Sequence, residues 1–180
     1  MPIKGEGMGS VIVLTGDGKG KTTSALGMAM RAVGHGLKVA FLQFIKGGWK
    51  YGELEAAKRL QPELELRPLG RGFVHIDPEN PNPEDVEVAQ RAWEVAREKI
   101  LSGEYFMVVL DEINYALSYG LLDLDEVIRT LKERPPHVHV VLTGRDAHPQ
   151  IIEMADLVTE MKEVKHPFRE GVISRKGIEY

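Results

Sequence analysis

The sequence has no cysteine among its 180 residues. This absence excludes disulfides, metal sites built on thiolates and a cysteine nucleophile. It fits a cytoplasmic protein, because disulfides persist mainly in oxidising compartments. The sequence also has no apolar run of the roughly 18 residues that a membrane-spanning helix needs, and its N-terminus lacks the apolar core of a signal peptide. We therefore expect no membrane partner.

The sequence also lacks an excess of positive charge. The net charge is −4, with 23 basic and 27 acidic residues, whereas nucleic-acid-binding domains usually carry a basic face. The six histidines form no metal-binding pattern, because His137 and His139 share a strand face without a third ligand spaced to join them. Repeats and heptads are missing too. We expect no nucleic-acid partner and one domain over residues 1–180, with residues 1–9 as a flexible lead-in.

A glycine-rich loop is present between a predicted strand and a predicted helix. The apolar run at residues 11–14 predicts a buried strand, and residues 24–33 predict a helix. The order of strand, loop, Gly-Lys-Thr and helix is typical of a phosphate-binding P-loop. The predicted ATP-binding residues of the loop are Gly16, Asp17, Gly18, Lys19, Gly20, Lys21, Thr22 and Thr23.

The chemistry of phosphate binding explains these residue types. Glycines allow a tight bend in which backbone N–H groups point into one concavity, and the following helix adds the positive end of its dipole. Lys21 can reach the outer phosphates, and the Thr22 hydroxyl can hold Mg²⁺. The loop is a variant, because Thr15 stands where the usual pattern has its first glycine. A dinucleotide-binding fingerprint fits less well, since Lys21 occupies the place of the third glycine.

Predicted strands alternate with predicted helices along the chain. Further strands are predicted at residues 39–44, 63–66, 105–110, 137–143 and 157–164. Asn82 and Asp123 are typical N-cap residues, which predicts that a helix begins after each of them. This alternation predicts an α/β fold with a mostly parallel sheet. We expect a single-domain P-loop (RecA-like) fold with three layers, α/β/α, and five or six strands.

An acidic pair, Asp111-Glu112, closes the predicted strand at residues 105–110. P-loop proteins place an acidic Mg²⁺ ligand at such a strand end. Either carboxylate could bind the ion, directly or through water. Glu112 could instead orient a water molecule for hydrolysis, so the pair alone does not choose the reaction.

Other candidate ligand contacts follow strands or lie between glycines. Lys46 and Trp49 come after the second strand, and they either face a substrate or belong to a solvated loop. Arg145 follows the strand at 137–143, where it either contacts phosphate or ribose or pairs with an acidic residue. Phe73 lies in a glycine-flanked segment, where it either serves a functional loop or packs in the core.

Taken together, these motifs resemble the ATP:corrinoid adenosyltransferases of cobalamin biosynthesis over residues 11–180. The segments that carry the resemblance are the loop at 15–23, Arg-Ala-Val-Gly-His-Gly at 31–36, Gln-Phe-Ile-Lys-Gly at 43–47, Val-Leu-Asp-Glu at 109–112, Leu-Thr-Gly-Arg at 142–145, Ala-Asp-Leu-Val-Thr-Glu at 155–160, Lys-His-Pro-Phe at 165–168 and Gly-Ile-Glu-Tyr at 177–180. They are far more specific than a P-loop alone.

The resemblance implies a reaction in which the cobalt(I) of a corrinoid attacks the 5′ carbon of ATP and triphosphate leaves. The metal of the substrate is the nucleophile, which agrees with a chain that has no cysteine. ATP, the corrinoid and Mg²⁺ are the implied ligands, with Lys21, Thr22 and Glu112 as catalytic residues and Arg31 and Arg145 as further ATP contacts. The family also implies a homodimer and a flavoprotein reductant.

The resemblance further implies a corrinoid site formed by Lys46, Trp49, Phe73 and His75. In similar proteins aromatic residues near Phe73 help displace the lower cobalt ligand, which makes cobalt easier to reduce. The second aromatic is commonly tryptophan, and this chain has His75 there.

Three alternatives remain open at this level. The protein could be an ATPase in which Glu112 activates water, a small-molecule kinase, or a nucleotide-dependent module that delivers a corrinoid without chemistry. The products distinguish these alternatives, because only adenosyl transfer releases triphosphate.

Overall fold

The computed structural model of the chain describes residues 7–48, 50–72, 77 and 79–180. The strands in this part of the chain are β1 (Val11–Thr15), β2 (Val39–Gln43), β3 (Leu64–Pro68), β4 (Met107–Asp111), β5 (His139–Thr143) and β6 (Leu157–Glu160). The helices are α1 (Lys21–Val33), α2 (Gly52–Lys58), α3 (Pro83–Ser102), α4 (Ile113–Ser118), α5 (Leu124–Glu133) and α6 (Pro149–Met154), followed by a short 3₁₀ helix, Pro167–Glu170.

The six strands form one sheet in the order β3-β2-β4-β5-β1-β6, and every pair of neighbours is parallel. Parallel neighbours need a crossover connection, and here helices supply the crossovers. The sheet predicted as mostly parallel is thus parallel throughout the described strands. Strand β5 lies between β1 and β4, so the strand that precedes the glycine-rich loop does not touch the strand that ends in the acidic pair.

Helices cover both faces of the sheet, which confirms the predicted three layers. One apolar cluster joins α1 and α2 to one face, with Phe41, Val109 and Val141 at its centre. The other cluster joins α3, α4, α5 and α6 to the opposite face. Because the central strands are covered on both sides, they read as continuous apolar runs in the sequence.

Several element ends differ from the sequence prediction. Helix α1 begins at Lys21, so the loop residues Lys21, Thr22 and Thr23 form its first turn. Strand β6 ends at Glu160 rather than near residue 164. At the last residue of the predicted lead-in, Gly9 is buried and its N–H donates to the Pro136 carbonyl at 2.6 Å. A side chain at Gly9 would collide with the backbone of Val138.

No helix in the described ranges is long and apolar enough to cross a membrane.

Candidate functional site

Four adjacent strands each end in a buried polar residue at the same edge of the sheet. These residues are Gln43 of β2, Asp111 of β4, Thr143 of β5 and Thr15 of β1. The residue before each of them is a buried leucine. We call the four residues the polar edge, and the glycine-rich loop lies directly beyond it.

The glycine-rich loop packs against the chain that leaves β6. The N–H of Gly18 donates to the Met161 carbonyl at 2.6 Å. Gly16 has a φ of 93°, and a Cβ there would lie 2.5 Å from the Met161 oxygen. Both positive φ and close backbone approach require glycine. The packing also explains why β6 is short, since the chain at Met161 supports the loop.

Lys21, the first residue of α1, bridges the loop from within. Its ammonium group is buried and donates to the carbonyls of Gly16 at 2.7 Å and Gly18 at 2.8 Å. Burial lowers the pKa of the Lys21 ammonium, although the nearby Glu112 carboxylate acts in the opposite direction. The loop therefore holds a positive charge against its own carbonyl groups.

Asp111 connects the polar edge to the loop. Its Oδ1 accepts hydrogen bonds from the Thr22 hydroxyl at 2.8 Å and from the Thr143 hydroxyl at 2.8 Å, and Gln43 Nε2 lies 3.4 Å from Oδ2. Burial raises the pKa of the Asp111 carboxyl, which the two hydroxyl donors partly oppose. The structure thus brings Thr22 and Asp111 together across the intervening strand β5.

Glu112 has a left-handed backbone conformation, with a φ of 64°. Its N–H donates to the Thr143 hydroxyl at 2.9 Å. Burial and the adjacent Asp111 carboxylate raise the pKa of the Glu112 side chain. A strained conformation in a residue other than glycine is common at functional sites, where neighbouring structure holds it in place.

Lys46 and Glu53 form an ion pair on the far side of the cleft. The Lys46 ammonium lies 2.5 Å from Glu53 Oε1 and 4.4 Å from the centre of the Tyr51 ring. Burial is the largest single influence on the Glu53 carboxyl and disfavours its charged form. The hydrogen bond and charge of Lys46, a backbone hydrogen bond and the Gln43 amide together outweigh burial, so the pKa of Glu53 lies below its usual value. Gln43 Nε2 is also 3.4 Å from Glu53 Oε1, which links the pair to the polar edge.

These groups surround a cleft of about 550 Å³. The lining residues are Lys19, Gly20, Lys21, Thr22, Thr23, Leu26, Lys46, Gly52, Glu53, Glu112, Gly177, Ile178, Glu179 and Tyr180. A second cleft, of about 260 Å³, lies on the other side of the loop and is also lined by Lys19 and Lys21. Arg145 belongs to this second cleft, where its guanidinium lies 3.8 Å from the Asp17 carboxylate.

The structure places the predicted site residues unevenly. It brings loop residues 19–23, Lys46 and Glu112 together at the cleft. The fully buried Asp111 lies behind them and accepts a hydrogen bond from Thr22, and Arg145 lies against the loop. Arg31 is not at the cleft, because it lies exposed in the last turn of α1, about 15 Å along the helix axis from Lys21. Trp49, Phe73 and His75 lie outside the described residues.

Sequence reasoning missed several lining or supporting residues. Gln43, Thr143 and the segment 177–180 fell within the segments that carry the family resemblance, yet no role was predicted for them. Glu53 was not singled out at all. The usable signal was the polar residue that ends each apolar strand, which the sequence showed at Gln43 and Thr143 as clearly as at Asp111.

Metal binding by the protein alone is not supported in the part of the chain that the structure describes, because no three His, Cys, Asp or Glu side chains there group as a metal site. Mg²⁺ in phosphate-binding sites usually takes one or two protein oxygens, and substrate phosphates and water supply the rest. The Thr22 hydroxyl and the Asp111 carboxylate are oxygen donors of this kind.

A strand, a glycine-rich loop, a buried lysine at the start of a helix and an acidic residue on a non-adjacent parallel strand define a P-loop-type α/β protein. Residues 7–180 match the family described as ATP:corrinoid adenosyltransferase BtuR/CobO/CobP. The chain belongs to this family, which confirms the resemblance found in the sequence, and the protein is therefore a transferase.

Curated relatives share the sequence along nearly the whole chain. A corrinoid adenosyltransferase from Sinorhizobium sp. is 46% identical over 182 residues, which covers 100% of this chain and 84% of the relative. One from Pseudomonas aeruginosa is 44% identical over 172 residues, covering 96% of this chain and 84% of the relative. The corrinoid adenosyltransferase CobA from Salmonella typhimurium is 43% identical over 177 residues, which covers 97% of this chain and 87% of the relative.

Proposed function

We propose that this protein transfers the 5′-deoxyadenosyl group of ATP to the cobalt(I) of a corrinoid and releases triphosphate, in adenosylcobalamin biosynthesis or salvage. The observation that carries the proposal is the convergence of Lys21, Thr22 and Asp111 beside one cleft, in a chain of this family. The convergence supplies what a leaving triphosphate requires, namely backbone donors, a buried cation and oxygen ligands for a metal ion.

The bond changes in this reaction place few demands on side-chain chemistry. The electron pair of cobalt(I) forms the bond to C5′, and the C5′–O bond breaks with its electron pair on the triphosphate oxygen. No proton transfer is needed at the carbon. The protein must hold the two substrates in line and stabilise the negative charge that grows on the leaving oxygen.

Lys21 and the loop are suited to the charge on the triphosphate. In the structure the Lys21 ammonium bonds to two loop carbonyls, so it is oriented before any ligand arrives. Lys19 lines both clefts beside the loop and adds a second cation. A donor that is already in place avoids reorganisation when charge develops.

Thr22 and Asp111 fit a Mg²⁺ ion bound together with the triphosphate. The fit rests on the 2.8 Å contact between a hydroxyl and a carboxylate at the start of α1, beside the loop. When bound, Mg²⁺ would neutralise charge on the phosphate oxygens. Glu112 lines the same cleft and would orient a water molecule in the shell of the ion.

The corrinoid belongs on the side of the cleft that Lys46 lines. Lys46 is held by Glu53 and by the face of Tyr51, so its position is fixed. Trp49, Phe73 and His75 are proposed corrinoid contacts because of the family resemblance. A homodimer, a flavoprotein reductant and a cytoplasmic location are part of the same proposal and rest on the same resemblance.

An anaerobic assay tests the reaction directly. The protein is mixed with Mg²⁺, ATP and chemically reduced cobalamin, and both the corrinoid absorption spectrum and triphosphate release are followed. We expect a light-sensitive alkylcobalamin spectrum and one triphosphate for each corrinoid converted. The matched control is an ATP analogue with a methylene group between the β and γ phosphorus atoms.

The analogue separates the alternatives, because it keeps the C5′–O bond but has no cleavable β–γ bridge. Adenosyl transfer should proceed with it, whereas an ATPase or a kinase should stop. An unchanged corrinoid spectrum with ADP accumulating from ATP would overturn the proposal. Glu112 would then be the candidate base for hydrolysis.

A further inference from the structure

The segment at residues 175–180, which we call the tail turn, is folded onto itself beside the cleft. The Gly177 N–H donates to the Tyr180 carbonyl at 2.7 Å, and the Glu179 N–H donates to the Arg175 carbonyl at 3.0 Å. The Glu179 carboxylate in turn accepts a hydrogen bond from the Arg175 N–H at 2.7 Å. These contacts give the tail turn a defined shape, so it presents particular side chains to the cleft.

The tail turn spans the cleft from the glycine-rich loop to α2. Its Gly177–Tyr180 portion lines the cleft. At one side Glu179 faces the loop, where the Lys19 charge adds to the Arg175 backbone hydrogen bond in lowering the Glu179 pKa. At the other side the Tyr180 backbone approaches Gly52, the first residue of α2. The tail turn is therefore a wall of the nucleotide site.

The tail turn supplies most of the apolar surface of the cleft, and the other lining residues are mainly polar or charged. Among the described residues that line it, only Leu26, Ile178 and Tyr180 have apolar or aromatic side chains, and two of these belong to the tail turn. The other lining side chains are charged or carry a hydroxyl. Ile178 is 57% exposed and Tyr180 is 45% exposed, so both have surface to bury against a ligand.

ATP likewise has one strongly charged part and one largely apolar part. Its triphosphate is strongly anionic, whereas its adenine ring is flat and largely apolar on its faces. Charged and hydroxyl groups suit the triphosphate, and aromatic or aliphatic surfaces suit the faces of a base.

We infer that the tail turn is the element that binds the adenosyl part of ATP, with Ile178 and Tyr180 in contact with the base. The inference rests on the proposed function only in taking ATP as the ligand of the cleft. It assigns a role in nucleotide affinity to a segment far from the glycine-rich loop in the chain, since Arg175, the first residue of the tail turn, follows Thr23 by 152 positions.

The test compares ATP with inorganic tripolyphosphate, which lacks the nucleoside. Isothermal titration calorimetry with Mg²⁺ measures the Kd of each ligand for the full chain and for Ile178→Ala, Tyr180→Ala and Tyr180→Phe. Ile173→Ala is the matched control, because Ile173 is 80% exposed in the same region and does not line the cleft.

We expect Tyr180→Ala to weaken ATP binding about tenfold, as expected for the loss of an aromatic contact worth about 1.4 kcal/mol. Ile178→Ala should act in the same direction with a smaller effect. Tripolyphosphate should bind each variant with a Kd within about twofold of the parent value, because its contacts are with the loop. Tyr180→Phe keeps the aromatic ring and should bind ATP more tightly than Tyr180→Ala does. Ile173→Ala should leave the Kd of both ligands unchanged.

Two results would overturn the inference. One is an unchanged Kd for ATP in both alanine variants. The other is an equal loss of ATP and tripolyphosphate, which would mean that the tail turn acts on the loop rather than on the nucleoside. The binding test does not depend on adenosyl transfer. A protein that binds ATP through Tyr180 yet fails the corrinoid assay would disprove the proposed function and leave this inference standing.

Discussion

The central strands are apolar along most of their length and polar at their carboxyl ends. In β4, the residues Val108, Val109 and Leu110 are fully buried and apolar, and the next residue, Asp111, is equally buried but ionisable. Strands β2, β5 and β1 make the same change, from leucine to Gln43, Thr143 and Thr15. One residue therefore separates the part of each strand that stabilises the fold from the part that serves the site.

The apolar part of the strands and the polar edge also differ in how completely their polar groups are hydrogen-bonded. The apolar part of the strands is covered by helices on both faces and has only backbone polar groups, which the parallel ladder pairs. At the polar edge, Gln43 Oε1 is buried and has no hydrogen-bond partner among the residues that the structure describes. Glu112, the residue after Asp111, has a left-handed backbone. Unpartnered polar atoms and strained residues destabilise a fold, and proteins retain them where function needs them.

The largest effect on activity should come from Lys21→Met, which removes the buried cation of the loop and keeps an unbranched side chain. Adenosyl transfer should fall about 10³-fold, the loss expected for an oriented group that stabilises charge in the transition state. The fold should survive, because the ammonium pKa is already lowered by burial. Initial rates and a thermal melt measure the two effects.

Lys58→Met is the matched control for this variant. Lys58 lies on the surface of α2 and pairs with Glu55, where both side chains are about two-thirds exposed, and such pairs contribute little. If Lys21→Met lowered the rate of adenosyl transfer by less than tenfold, the role proposed for Lys21 would be wrong. A collapse of its melting temperature would show that the loop serves the fold as well as the site.

Leu110→Ala should have the opposite effect to Lys21→Met: it should lower stability and largely preserve activity, although Leu110 adjoins Asp111. Deleting a fully buried leucine should lower the free energy of unfolding by about 3 kcal/mol, because it leaves a cavity between the sheet and its helices. Activity per folded molecule should stay within a few-fold of the parent value. Urea denaturation gives the stability, and rates measured well below the melting temperature give the activity.

Leu157→Ala provides the comparison, since Leu157 is 48% exposed on the edge strand β6 and should change stability by no more than about 0.5 kcal/mol. If Leu110→Ala lost activity as strongly as Lys21→Met at temperatures where it is folded, the proposed separation of the two parts of a strand would be wrong.

The sequence was sufficient for features that depend on neighbouring residues. Apolar runs identified β1, β4 and β5, because strands covered on both faces have no polar alternation. Helix starts were also predicted, and the structure confirms that Asn82 and Asp123 accept hydrogen bonds from the backbone N–H groups of Glu84 and Glu126. The P-loop could be predicted because its donors and its lysine are consecutive in the chain.

Features that depend on strand order could not be predicted in this way. Nothing in a local pattern places β5 between β1 and β4, so the contact of Asp111 with both Thr22 and Thr143 could not be foreseen. Arg31 belongs to a recognisable segment but lies at the far end of α1 from the loop, and its contact with ATP stays a prediction. The place of the tail turn beside the cleft could not be predicted either, because an exposed segment has no hydrophobic periodicity that would indicate its neighbours.

The smallest of the expected effects concerns Glu112, and it depends on pH. Its pKa in the folded protein is raised above the ordinary value of 4.5, first by burial and then by Asp111. A raised pKa means that the folded state holds this proton more tightly than the unfolded state. The associated stability is present below pH 4.5 and is lost as the pH rises through the folded-state pKa.

Glu112→Gln has no charge to bury, so it should avoid this loss. The free energy of unfolding of the variant, relative to the parent, should therefore increase as the pH rises from 4.5 and then level off. Urea denaturation between pH 4 and about 9, without nucleotide or Mg²⁺, measures the difference, and Glu94→Gln on the exposed side of α3 is the control. A difference that stays flat with pH would mean that the Glu112 carboxylate is not destabilising. The polar edge would then differ from the apolar part of the strands in chemistry alone.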